Sequence, residues 1–94
     1  MPIDVTIAIV NWNTRALLEP CLASLAEGAR GVRTKIIVVD NASRDPSADL
    51  VSERFPHVVL LQNTANLGYA HGNNQAYGQA EGRYFLLLNP DTIV

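Results

Sequence analysis

The sequence predicts a three-layer α/β fold around a mainly parallel four-stranded sheet. Four short apolar runs alternate with segments of helical spacing, the pattern of strands joined by crossover helices. Three of those runs lead straight into polar clusters, as strand ends do at a ligand-binding sheet edge. The 94 residues are 48% apolar and 17% charged, a composition that buries a core. A chain of this length forms one domain, residues 1–94, with little stability to spare.

Val5-Thr6-Ile7-Ala8-Ile9-Val10 is apolar on both alternating faces, so it reads as a strand covered on both sides. Asn11-Trp12-Asn13 ends it. Asn13 or Thr14 can cap the helix that follows, since either side-chain oxygen can accept from a free N–H. Leu17, Leu18, Cys21, Leu22 and Leu25 form that helix's apolar stripe, and Gly28 and Gly31 close it. Lys35-Ile36-Ile37-Val38-Val39 is the second strand, followed by Asp40-Asn41-Ala42-Ser43. Asp45-Pro46 starts a helix whose apolar face is Leu50, Val51 and Phe55, and Pro56 stops it. Val58 to Gln62 is the third strand. The Asn- and Gly-rich stretch 63–74 reads as a loop, with a short helix from about Asn73 to Ala80. Tyr84 to Leu88 is the fourth strand, ended by Asn89-Pro90-Asp91.

Several function classes are disfavoured. Seven Lys and Arg against nine Asp and Glu give a formal charge of −2, which does not suit a nucleic-acid-binding face. One cysteine, Cys21, allows no internal disulfide and falls on an apolar stripe, where it reads as core. No apolar run approaches the ~20 residues needed to cross a bilayer, and the N-terminus has no leader pattern. A cytosolic location is therefore expected, at the inner membrane face for a longer protein. The phosphate loop of nucleoside triphosphatases, the G-x-G-x-x-G of dinucleotide-binding domains and the G-x-S-x-G elbow are absent from the sequence.

The polar clusters carry the chemistry. Asp40 can accept the ring N–H of a uracil or thymine base, with Asn41 adding a second bond; turn formation and helix capping are the alternative for both. The amides of Asn11 and Asn13 can hold a base or ribose, with Trp12 as a packing residue or pocket wall. Gly68 and Gly72 permit close approach or positive φ. Asn73 and Asn74, at an expected helix start, would meet a diphosphate through free N–H groups. Asp91 can hold Mg²⁺ or Mn²⁺ where phosphate oxygens and water complete the shell; a Pro turn is the alternative.

Taken together, Val10-Asn11-Trp12-Asn13, Val38 to Ser43, Asn66-Leu67-Gly68-Tyr69-Ala70 with Gly72-Asn73-Asn74, and Leu87-Leu88-Asn89-Pro90-Asp91 resemble family 2 glycosyltransferases. The likeness is greatest to the rhamnosyltransferase-like branch and covers essentially the whole chain. The resemblance implies a GT-A (Rossmann-like) fold that binds a nucleotide-sugar donor at the strand ends. It implies pyrimidine recognition by Asp40, with the backbone around Asn11, Trp12 and Asn13 alongside and Asn66, Gly68, Asn73 and Asn74 flanking the nucleotide and sugar. Asn89 stands at the first position of the family's Asp-x-Asp motif, giving an amide contact to ribose, and Asp91 at the last, as ligand of a divalent metal. The implied chemistry is inverting transfer from a UDP- or dTDP-sugar, dTDP-rhamnose being one candidate, to a saccharide or lipid-linked acceptor in polysaccharide biosynthesis. In that family the carboxylate base lies well after the Asp-x-Asp position, so it is expected beyond Val94, and no residue of this chain is named as catalytic. A truncated domain, inactive alone and prone to self-association through its uncovered sheet, is therefore expected. The rivals are a non-catalytic nucleotide-binding module that needs no metal, and a structural piece that binds nothing.

Overall fold

The structure, a computed structural model, describes residues 2–28 and 31–90. Seven elements follow one another: β1 (Val5–Asn11), α1 (Arg15–Gly28), β2 (Thr34–Asn41), α2 (Ser47–Arg54), β3 (Val59–Asn63), α3 (Tyr69–Tyr77) and β4 (Tyr84–Leu88). The strands form one sheet in the order β3-β2-β1-β4, and every pairing is parallel.

Two apolar faces on the central strands explain the three layers. On one face Ile7, Ile9, Ile36 and Val38 pack against Leu18, Cys21, Leu22 and Leu25 of α1 and Val51 of α2. On the other, Ala8, Val10, Ile37 and Val39 meet Ala76 of α3. Each such aliphatic side chain contributes about 1.5–3 kcal/mol when fully buried, so the centre of the sheet is where stability concentrates. The contact of α3 with the sheet is close. A methyl at Gly72 would lie 2.9 Å from both Val10 γ-methyls, so this helix sits where only glycine lets it sit.

Pairing register then sets the polar edge. Asn11 pairs with Asp40, Asp40 with Gln62, and Asn41 with Asn63. The polar residues that end three strands therefore stand side by side across the sheet.

Some sequence expectations need correction. Leu17 is 45% exposed, because the helix presents Leu18, Cys21, Leu22 and Leu25 inward and turns Leu17 away. Neither Asn13 nor Thr14 caps α1 with its side chain: the Arg15 N–H donates instead to Asp45 Oδ2 at 3.0 Å, an acceptor from another loop. Helix α2 begins after Pro46 rather than at it. Strand β3 runs from Val59 to Asn63, one residue later than the apolar run suggests. The largest change is α3, which starts at Tyr69, not Asn73. Gly68, with φ of +90°, turns the chain into the helix four residues early, and packing of Gly72 and Ala76 on the sheet overrides the weak local propensity.

Candidate functional site

At the ends of β1 and β2 a polar cluster is built around one carboxylate. Asp40 is buried, and its Oδ1 accepts from Asn11 Nδ2 at 2.9 Å and from the Ser43 hydroxyl at 2.6 Å. Its Oδ2 accepts from the Ser43 N–H at 3.1 Å. Asn11 is 0% exposed: Nδ2 also reaches Ser43 Oγ at 3.2 Å, and Oδ1 accepts from the Thr14 hydroxyl. Both ends of the Asn11 amide thus have partners inside the protein, and Oδ1 keeps one acceptor position. Asp40 keeps one acceptor position on Oδ2, since a carboxylate offers about four.

The β1–α1 and β2–α2 loops are also stitched to each other. Asn13 Oδ1 accepts from the Arg44 N–H at 2.6 Å, and the Asn13 N–H donates to Ser43 Oγ at 2.9 Å. Asp45 accepts from the Arg15 and Ser47 amides and from the Ser47 hydroxyl. Asn13 and Ala42 sit at positive φ, +54° and +61°, which these bonds sustain. Burial alone would push Asp45 upward. The Ser47 hydroxyl, the two amides and the Arg15 charge together outweigh it and hold its carboxyl below the usual value.

Beside this cluster lies a groove of about 320 Å³ lined by Val10, Trp12, Thr14, Asn41, Asn66, Gly68, Tyr69 and Pro90. Trp12 is 53% exposed and, with Asn66, also walls an adjoining hollow lined by Asn13, Ala42, Arg44 and Thr64. Trp12 is therefore a wall and not a core residue. Asn66 fixes the turn by accepting the Gly68 N–H at 3.0 Å. Asn41 is buried: its Nδ2 donates to the Gly68 carbonyl at 3.1 Å and its Oδ1 accepts from Asn63 at 2.7 Å.

The structure thus brings Trp12, Asn41, Asn66 and Gly68 to one groove, with Asp40 and Asn11 behind it. Asn73 and Asn74 lie inside α3, so the free N–H groups at its start belong to Tyr69, Ala70 and His71. Asn73 Oδ1 is buried without a hydrogen-bond partner. Asn89, just beyond β4, is exposed, and its carbonyl faces the Cys21 sulfur at 3.9 Å. Asp91, the expected metal ligand, lies outside the described residues. So does Val94, beyond which the catalytic base is expected. Sequence reasoning assigned no role to Ser43, Asn63 or Gln75. Asn63 had a readable signal, a polar residue at the C-terminal end of a parallel strand. Gln75 had none, because its role depends on where α3 docks.

Among the described residues, no three His, Cys, Asp or Glu side chains gather as a metal site. The nearest edge carboxylate, Asp40, is engaged by Asn11 and Ser43. The described residues do not by themselves fit a divalent ion.

The model of the family described as Glycosyl transferase family 2 matches residues 6–94. The chain belongs to that family. The succinoglycan biosynthesis protein ExoO of Rhizobium meliloti (strain 1021) is 30% identical over 92 residues, covering 97% of this chain and 26% of that protein. The chain spans about a quarter of the length of the first curated relatives it matches. Among solved structures, the mannosyltransferase PcManGT from Pyrobaculum calidifontis, in complex with GDP-Man and Mn²⁺, superposes with a TM-score of 0.84 at 25% identity, over 99% of this chain and 30% of that one. S. aureus TarS 1-349 in complex with UDP superposes with a TM-score of 0.81 at 23% identity, over 95% of this chain and 28% of that one. The α/β fold with four parallel strands is that of GT-A glycosyltransferases.

Proposed function

We propose that the C-terminal edge of this sheet is the donor-binding part of an inverting family 2 glycosyltransferase, holding the nucleoside diphosphate of a sugar nucleotide. The observation that carries the reading is the convergence at one groove of Trp12, Asn41, Asn66 and Gly68, backed by the buried Asp40 carboxylate. In this reading Asp40 accepts the ring N–H of uracil or thymine through the free position on Oδ2. Asn11 and Ser43 hold that carboxylate in place. Trp12 and Asn13 flank the base, Asn66 and Gly68 shape the groove, and the α3 N–H groups at Tyr69 to His71 face the diphosphate. Asn73 and Asn74 support that helix, Asn89 stands by the ribose, and Asp91 ligates Mg²⁺ or Mn²⁺. The complexes of TarS with UDP and of PcManGT with GDP-Man and Mn²⁺ support a nucleotide or sugar nucleotide as the ligand of this fold.

The donor proposed is a UDP- or dTDP-sugar, with dTDP-rhamnose favoured by the rhamnosyltransferase-like motifs. The acceptor is a saccharide or lipid-linked saccharide, in cytoplasmic polysaccharide synthesis at the inner membrane face. Catalysis by the whole protein uses a carboxylate base beyond Val94.

Calorimetric titration of the chain with UDP, dTDP and GDP, with and without Mn²⁺, tests the reading. Uridine or thymidine diphosphate is expected to bind better than GDP and to lose affinity in Trp12→Ala and Asp91→Ala. Equal, metal-independent binding of all three would sink pyrimidine recognition. A second reading has one observation behind it: among the described residues no Asp or Glu is part of the groove's lining. A non-catalytic nucleotide-binding module would bind the diphosphate without metal, and Asp91→Ala would change nothing.

A further inference from the structure

Four residues join the groove to a helix face that does not line it. Asn41 Nδ2 donates to the Gly68 carbonyl at 3.1 Å, and Asn41 Oδ1 accepts from Asn63 Nδ2 at 2.7 Å. Asn63 and Gln75 then exchange both amide hydrogen bonds, Nδ2 to Oε1 and Nε2 to Oδ1, each at 2.8 Å. The polarity of this chain is fixed at one end. A backbone carbonyl can only accept, so Asn41 must present its NH₂ group to Gly68. Its oxygen must then face Asn63, and Asn63 must present its own NH₂ group to Asn41. That orientation leaves the Asn63 oxygen for the Gln75 NH₂ group. Turning Gln75 or Asn63 around sets like groups against each other.

The Gly68 carbonyl is where this chain meets the helix. It also accepts the first α3 bond, from the Gly72 N–H at 3.2 Å. Gly68 itself stands at φ of +90°, in the turn that aims α3 at the sheet edge. Asn41 and Gly68 line the groove; among the described residues neither Asn63 nor Gln75 does.

We infer that Asn63 and Gln75 are positioning residues for the groove, acting through Asn41 as a one-way amide relay that fixes the Gly68 turn and the start of α3. The relay crosses from β3 to β2 at the paired positions Asn63 and Asn41 and anchors the second turn of α3 to the sheet. The groove wall at Gly68 and Tyr69 is set from behind, without any relay residue beyond Asn41 touching a ligand. The consequence for affinity rests on the donor reading above; the hold on the Gly68 turn does not.

The test uses Gln75→Leu, which removes both bonds while keeping size and helix propensity, and Gln75→Glu, which keeps the acceptor and removes the donor. UDP affinity, amide exchange at Tyr69 to Gly72 and the thermal midpoint are measured for each. Gln75→Leu is expected to weaken UDP binding roughly fivefold to tenfold and to speed exchange of the Gly72 amide, with Gln75→Glu between it and the parent. A lower midpoint with unchanged affinity and unchanged local exchange would show that Gln75 only stabilises the fold, and would overturn the relay. If the Leu variant does not fold, the Glu variant decides by the same two readouts. If the parent chain binds neither UDP nor dTDP, the donor reading falls and the affinity claim with it; accelerated Gly72 exchange in the variants would still uphold the relay, and its absence would end it.

Discussion

At the scale of single residues, the site depends on carboxylates whose main partners are inside the protein. Asp40 accepts from Asn11 and twice from Ser43, so Asp40→Ala leaves buried donors with no acceptor. The expected loss is about 1–3 kcal/mol for each donor left dry, read by urea unfolding. A destabilisation within experimental error would mean that Ser43 and Asn11 find other acceptors. Trp12 makes the opposite case. It is 53% exposed, so Trp12→Ala should leave stability within about 0.5 kcal/mol while weakening UDP binding roughly tenfold. Asp45 adds a dependence on pH. Its folded-state pKa is depressed, so the stability it contributes is complete above the unfolded value of ~3.9 and is lost as pH falls through the folded value. Asp45→Asn, which keeps the acceptor oxygen and removes the charge, should therefore lower the thermal midpoint at neutral pH, by the equivalent of about 0.3–1 kcal/mol for a charge at a helix N-terminus, and the gap should close in strong acid. A gap constant from pH 7 to pH 2 would show that the charge does not matter.

At the scale of elements, the seating of α3 decides the shape of the groove. Gly72 faces Val10 with no room for a methyl, the added Cβ lying 2.9 Å from both Val10 γ-carbons. Alanine is the better helix former by ~1 kcal/mol, yet Gly72→Ala should destabilise the chain by about 1–3 kcal/mol through the clash. Val10→Ala in the same chain should recover part of that loss, which a double-mutant cycle would measure. Additive effects would mean that the two residues do not press on each other. The same seating places Tyr69 to His71 at the start of α3, in place of Asn73 and Asn74.

At the scale of the whole molecule, the radius of gyration of 12.2 Å is that of a compact domain of this length, about 12 Å. The apolar covering is nevertheless uneven. Strand β4 pairs with β1 on one side, and Leu86 and Leu87, which point to opposite faces, are 45% and 43% exposed. Parallel sheets keep both faces covered, so a strand with a half-exposed leucine on each face is a place for association. In solution the 94-residue chain is expected to self-associate at high concentration. Leu86→Lys with Leu87→Glu should shift it toward monomer by sedimentation, and a parent chain that is monomeric throughout would remove the expectation.

The order and type of all seven elements were legible in the sequence, because strand and helix periods are local properties of side-chain spacing. So were the polar clusters at Asn11, Asp40 and Asn66, since alternating strands and helices place them at one sheet edge. Local signals did not reveal which polar groups would be used up in holding the edge together. Asn11, read as a base or ribose contact, also holds the Asp40 carboxylate; Asp45 looked like the cap of its own helix and also caps α1. The start of α3 was misplaced because glycine and asparagine carry little helix propensity, and the helix exists through docking on Val10 and the central strands. The sequence alone determined the fold class, the family and the polar edge, for those depend on patterns along the chain. Only the tertiary structure decided that Asn63 and Gln75 belong with Asn41, because hydrogen bonds between residues far apart in sequence depend on strand register and helix seating, which no local window contains.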